Sequence, residues 1–162
     1  ETLKRGISNF RGIKRRYTKH RFDSGKIYID DYAHHPTELN AVIGSIKTFY
    51  PHQKLLVVFQ PHLFSRTRDF VDGFAESLNK ADELILLDIY PARELQENFE
   101  GITSDWLLEK VILEKKEIST LDEAFSKIKS KDFDVLLTVG AGNIDTLYDG
   151  IAEWLNVQKL DN

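Results

Sequence analysis

The 162 residues include no cysteine, so there is neither a disulfide framework nor a thiolate metal site to account for. No apolar run approaches the roughly 20 residues that a membrane span requires, and no signal-peptide or lipidation pattern is visible. A cytoplasmic protein is expected, with no membrane partner. Lys and Arg (22) are outnumbered by Asp and Glu (26), for a net charge of −4. With no basic surplus to meet a phosphate backbone, nucleic acid is not an expected partner. No G-x-x-x-x-G-K-[ST] loop occurs, so nothing here cradles a triphosphate by that route. Methionine is absent even from position 1, which reads as a piece cut or processed from a longer polypeptide.

What is present suits one domain with a real core, at 41% hydrophobic and 30% charged residues. Runs rich in branched aliphatics at 26–30, 55–59, 84–89 and 135–139 read as buried strands, each followed by a turn and a helix. The first helix opens at Pro36 and places Leu39, Val42, Ile43 and Ile46 on one face. Phe70, Phe74 and Leu78 form a second stripe, and a further helix is expected over 104–112. Thr120-Leu121-Asp122-Glu123 has the form of a capping box. Ile144, Leu147, Tyr148, Ile151 and Leu155 mark a last helix before a polar tail that should fray. A short strand near Ile118 fits, and residues 17–22 can pair antiparallel with 26–30 across Asp23-Ser24-Gly25. Strands alternating with helices imply right-handed crossovers and a doubly wound, mostly parallel α/β sheet, Rossmann-like, with an antiparallel edge strand. Residues 1–14 read as a linker from an upstream domain, and 15–162 as the domain itself.

The chemically distinctive residues follow the strands: Asp31-Tyr32-Ala33-His34-His35-Pro36, Pro61-His62-Leu63-Phe64-Ser65-Arg66, Tyr90-Pro91-Ala92-Arg93-Glu94 and Gly140-Ala141-Gly142-Asn143. All four stretches therefore lie along one sheet edge, where open parallel sheets bind ligands. Singly, each has a bland account. Asp31 could cap a helix, His34 and His35 could be ordinary loop residues, and Arg66 could be a solvated charge. Jointly, three of five histidines and several arginines beside an Asp30-Asp31 pair favour a shared site. Protein-ligated metal is not expected, because adjacent histidines diverge and no supporting pattern is readable. The Gly140-Ala141-Gly142 turn carries Asp145 where a dinucleotide fingerprint needs its third glycine. It reads as a tight turn with Asn143 as N-cap.

Asp30-Asp31-Tyr32-Ala33-His34-His35-Pro36-Thr37-Glu38, followed by Phe59-Gln60-Pro61-His62-Leu63-Phe64-Ser65-Arg66-Thr67-Arg68, resembles the muramate:alanine ligase branch of the Mur ligases in their C-terminal, amino-acid-binding domain. The resemblance extends from Gly12-Ile13-Lys14-Arg15-Arg16 to Gly140-Ala141-Gly142-Asn143-Ile144. It implies an ATP-dependent ligase of peptidoglycan synthesis that joins L-alanine to the lactyl carboxylate of UDP-N-acetylmuramate through an acyl phosphate. ATP and Mg would be held mainly by a central domain, and this chain alone would be inactive. The resemblance places Arg16 and Asp31 at the ATP and Tyr32, His34, His62 and Arg66 around L-alanine, with His34 and Asp31 as the catalytic pair. Leu63 stands where relatives carry arginine. A tripeptide-recycling ligase shares the Asp-Asp-x-Ala-His-His-Pro pattern and is the enzyme alternative. A stand-alone α/β binding module is the other.

Overall fold

The computed structural model describes residues 16–158, so the expected linker over 1–14 and the end of the polar tail lie outside the described residues. Six strands form one sheet: β1 (Thr18–Arg21), β2 (Ile27–Asp31), β3 (Leu55–Gln60), β4 (Glu83–Leu87), β5 (Lys116–Ser119) and β6 (Val135–Gly140). Their order is β1-β2-β6-β3-β4-β5. Only β1 runs antiparallel, pairing Thr18 with Asp30 and Arg21 with Ile27; every other pairing is parallel.

The inner strands β2, β6, β3 and β4 are buried on both faces, as a doubly covered parallel sheet requires, while the edge strands β1 and β5 are polar. Along β3, Leu55, Val57 and Phe59 enter one core with Leu39, Ile43, Phe74 and Leu107. Leu56 and Val58 enter the other with Ala124, Ile128, Ile151 and Leu155. The first core lies under α1 (Pro36–Phe49), α3 (Val71–Leu78) and α4 (Ser104–Lys110). The second lies under α5 (Leu121–Lys129) and α6 (Tyr148–Val157). The chain winds outward from β3 to β5 and returns on the second face to insert β6 between β2 and β3. In open parallel sheets ligands bind at the carboxyl edge beside such a reversal, here the ends of β2, β6 and β3.

Several expectations need correction. The stripe through Phe70, Phe74 and Leu78 does not mark one helix. The chain forms α2 (Phe64–Asp69), breaks at Phe70, and resumes as α3. Phe70 is 42% exposed, and its ring packs edge-on against His35 at 4.6 Å. The helix expected to reach Ile112 ends at Lys110, leaving Ile112 outside it. Asn143 is not an N-cap; a 3-10 turn, Asn143–Leu147, precedes α6, with Gly142 in the cap position. The Asn143 amide oxygen instead accepts a hydrogen bond from Gln60 Nε2 at 2.8 Å. At Thr120 the hydroxyl does accept from the Glu123 amide, but Glu123 turns its carboxylate toward Lys127. The reciprocal capping box stands instead at His35 and Glu38.

Candidate functional site

The loop after β2 is organised by two carboxylates. Asp31 accepts the Tyr17 amide at 2.7 Å and the Ala33 amide at 2.8 Å, tying the approach to β1 to the start of the loop. It does not cap a helix. Glu38, one turn into α1, accepts the amides of His34 at 3.0 Å and His35 at 3.2 Å. Partial burial pushes the Glu38 carboxyl up, but those amides and the adjacent imidazoles outweigh it and hold it below the usual carboxylate range.

Side-chain hydrogen bonds settle the histidine tautomers by inference. His34 Nδ1 lies 3.0 Å from the Tyr32 carbonyl oxygen, which can only accept. The Nδ1 proton therefore donates, and Nε2 of neutral His34 carries the lone pair. His62 Nδ1 lies 3.2 Å from Arg66 Nη1, and a guanidinium can only donate. His62 therefore accepts at Nδ1 and presents Nε2–H. Burial first, then the Arg66 guanidinium and His34, hold the His62 imidazole below the ordinary histidine value against the opposing field of Glu94. With both rings neutral, the two are complementary. One offers a base and the other a donor, with centroids 6.1 Å apart.

Four of the sequence-predicted residues lie side by side. Tyr32 packs edge-on to His34 at 5.3 Å, His34 faces His62, and Arg66 reaches back to His62 Nδ1 and, at 3.4 Å, to its carbonyl. Among the described residues no carboxylate pairs with Arg66. Arg16 and Asp31 lie apart from that cluster along a groove of about 490 Å³, shared with Tyr17, Tyr32, His34 and Glu38 and floored by Ala41, Val42 and Ser45. His34 and Tyr32 thus belong to both places. Among the described residues, no three acidic or histidine side chains are grouped to hold a metal ion.

Sequence reasoning quoted Tyr90 and Glu94 without giving them roles. Tyr90 stacks on His62 at 5.7 Å, with the rings 22° from parallel. Glu94 accepts the Ser65 amide at 3.0 Å and the Ser65 hydroxyl. The glycine turn also has a structural purpose. At Gly140, with φ +147°, a Cβ would stand 2.6 Å from the Gln60 carbonyl oxygen. At Gly142 it would stand 2.7 Å from Tyr90 Cβ and Cγ. The backbone approaches its neighbours where only glycine fits.

Comparison with known proteins gives a consistent picture. Residues 15–142 match the family described as Mur ligase, glutamate ligase domain. The UDP-N-acetylmuramate–L-alanine ligase of Flavobacterium johnsoniae is 49% identical over 156 residues, covering 96% of this chain and 34% of that protein. The chain therefore spans about a third of the length of the curated relatives it matches. Among solved structures, the UDP-N-acetylmuramate-alanine ligase of Thermotoga maritima superposes with a TM-score of 0.68 at 28% identity, over 93% of this chain and 32% of that one. A murein peptide ligase from Psychrobacter arcticus shares the fold, with a TM-score of 0.67 at 19% identity over 98% of this chain and 33% of that one.

Proposed function

Since the chain belongs to the Mur ligase family through its C-terminal ligase domain, we propose that it is the amino-acid-binding third of an ATP-dependent ligase that joins L-alanine to UDP-N-acetylmuramate. The observation that carries this reading is Arg66, a guanidinium held against neutral His62 with no carboxylate of its own among the described residues. A guanidinium binds a carboxylate through two parallel N–H donors, and the substrate amino acid supplies one. His62 Nε2–H can add a third donor to the same carboxylate. His34 Nε2 can take a proton from the alanine ammonium, because only the neutral amine is nucleophilic. The ring of Tyr32, edge-on to His34, walls the pocket.

ATP supplies the phosphoryl group that activates the lactyl carboxylate of the sugar nucleotide. Arg16, exposed at the mouth of the groove, has the charge to meet a phosphate, and Asp31 fixes the backbone beside it. Magnesium is commonly held by one or two carboxylates together with the substrate's own phosphates. In this reading the central domain that the family implies holds magnesium and most of the nucleotide. Bringing the two halves together orients amine and acyl phosphate and excludes water.

The test is a titration of the isotope-labelled chain with L-alanine, followed by NMR. Shifts should concentrate at Tyr32, His34, His62 and Arg66, with D-alanine and acetate weaker. Equal response to all three, or shifts spread away from these residues, would sink the assignment. The tripeptide-recycling alternative predicts that an L-alanyl peptide competes better than the free amino acid.

A further inference from the structure

Arg66 rides on a helix that has little means of holding itself in place. The six residues of α2 are too few to be stable alone, and its first amides need outside acceptors. The residue in the N-cap position, Leu63, has no side-chain acceptor and is itself in the left-handed region at φ 72°. The acceptor comes from 29 residues away. Glu94 takes both the amide and the hydroxyl of Ser65. Burial works to raise this carboxyl, but the Ser65 hydroxyl and the amides of Ser65 and Phe64 prevail and keep it ionised.

The same loop also grips His62. The Tyr90 amide donates to the Pro61 carbonyl at 2.8 Å, and the Tyr90 carbonyl accepts from the Leu63 amide at 2.9 Å. His62 is thus held between two backbone bonds while the Tyr90 ring lies over its imidazole. Between these grips, Glu94 N–H closes a turn onto the Pro91 carbonyl at 2.9 Å, and Ala92 adopts φ 51°. Each of these two loops thus carries one non-glycine residue of positive φ, Leu63 and Ala92. Such conformations cost on the order of 1 kcal/mol or more and persist where surrounding contacts enforce them.

We infer that residues 90–94 are a clamp that sets Arg66 and His62 in register, and that Glu94 is its positioning residue, acting through Ser65. This rests on the assignment of Arg66 and His62 to the amino acid. Glu94 touches no reacting atom. It fixes the orientation of the helix that carries the guanidinium, and a site held within a fraction of an ångström binds more tightly than a loose one.

Glu94→Gln, Glu94→Asp and Ser65→Ala test this in the 162-residue chain, with three measurements on each: melting temperature, ring-to-ring NOEs between Tyr90 and His62, and the Kd for L-alanine. Glutamine offers one acceptor where two are needed and turns an amide group toward a donor. Glu94→Gln should keep the fold while weakening the Tyr90–His62 contacts and raising the Kd about tenfold, as expected when a charge-assisted bond that orders a site is lost. Glu94→Asp should recover part of that loss, and Ser65→Ala should show a smaller change in the same direction. Unchanged contacts and Kd in a folded Glu94→Gln protein would overturn the clamp. If Glu94→Gln fails to fold, Ser65→Ala decides: wild-type contacts there refute the inference. Should the unaltered chain not respond to L-alanine, the functional assignment fails, while the NOEs still report on the clamp separately.

Discussion

Gly142→Ala is the substitution whose consequence the structure determines most closely. Gly142 has φ −85° and ψ −148°, so alanine brings no left-handed strain and the cost is steric. The new methyl would stand 2.4 Å from Gln60 Oε1 and 2.7 Å from both Cβ and Cγ of Tyr90. The Gln60 amide can swing away, at the expense of its bonds to the Ile144 amide (2.9 Å) and Asn143. Tyr90 cannot yield so simply, because both atoms lie at the root of a side chain whose backbone is pinned to Pro61 and Leu63. Overpacking of this kind costs about 1–3 kcal/mol, offset by a few tenths to 1 kcal/mol from the stiffer unfolded chain. A net loss of about 1–2 kcal/mol corresponds to a fall of roughly 2–8 °C in a domain this size. Calorimetry gives the melting temperature, and the NOEs from the Tyr90 ring to His62 should weaken in the same sample. A turn built to cradle phosphate would behave oppositely, losing nucleotide affinity with the melting temperature unmoved. A Gly142→Ala protein that melts within ~1 °C of the original would refute the packing account.

Further outcomes follow from the site. In the enzyme that carries this domain, Arg66→Ala should raise the KM for L-alanine about ten- to hundredfold while that for ATP changes little, because a bidentate carboxylate contact is lost. Asp31→Asn leaves one acceptor oxygen for two amides, so the chain should lose on the order of 1–2 kcal/mol in denaturant melts; a fall in kcat beyond that expected from unfolding would place Asp31 at the nucleotide as well. On acidification, His62, held below the ordinary histidine value, stays neutral in the folded state after its unfolded counterpart has charged. Stability should therefore begin to fall as pH drops below about 6.5 and fall again below the usual carboxylate range, where Glu38 and Glu94 lose their advantage. His62→Gln should remove the first of these phases in pH-dependent melts.

Most of the sheet was legible because buried parallel strands need continuous branched aliphatics, and those runs lie within a residue or two of β2, β3, β4 and β6. The site edge was legible for the same reason: residues that follow such strands share one side of the sheet. The break at Phe70 was not, since Phe70, Phe74 and Leu78 keep helical spacing straight through it, and the ring of Phe70 packs instead on His35, far away in sequence. The cap at His35 escaped notice because histidine is not a favoured cap residue, although Pro36 and Glu38 around it were available signals. Asn143 has the composition of an N-cap, but Gln60, on another strand, claims its side chain. The bond from Ser65 to Glu94 spans 29 residues and leaves no local pattern. Apart from the local cap at His35, each of these differences involves a partner distant in sequence.

The central claim, that this chain serves as the amino-acid-binding third of an alanine-adding ligase, is tested most directly by exchanging it for the matching third of the Flavobacterium johnsoniae enzyme, to which it is 49% identical, and measuring formation of UDP-N-acetylmuramoyl-L-alanine. The account predicts ATP-dependent product from L-alanine, abolished by Arg66→Ala at ordinary alanine concentrations and partly restored by raising them. A folded hybrid that makes no product, or one whose alanine dependence is indifferent to Arg66→Ala, would contradict it.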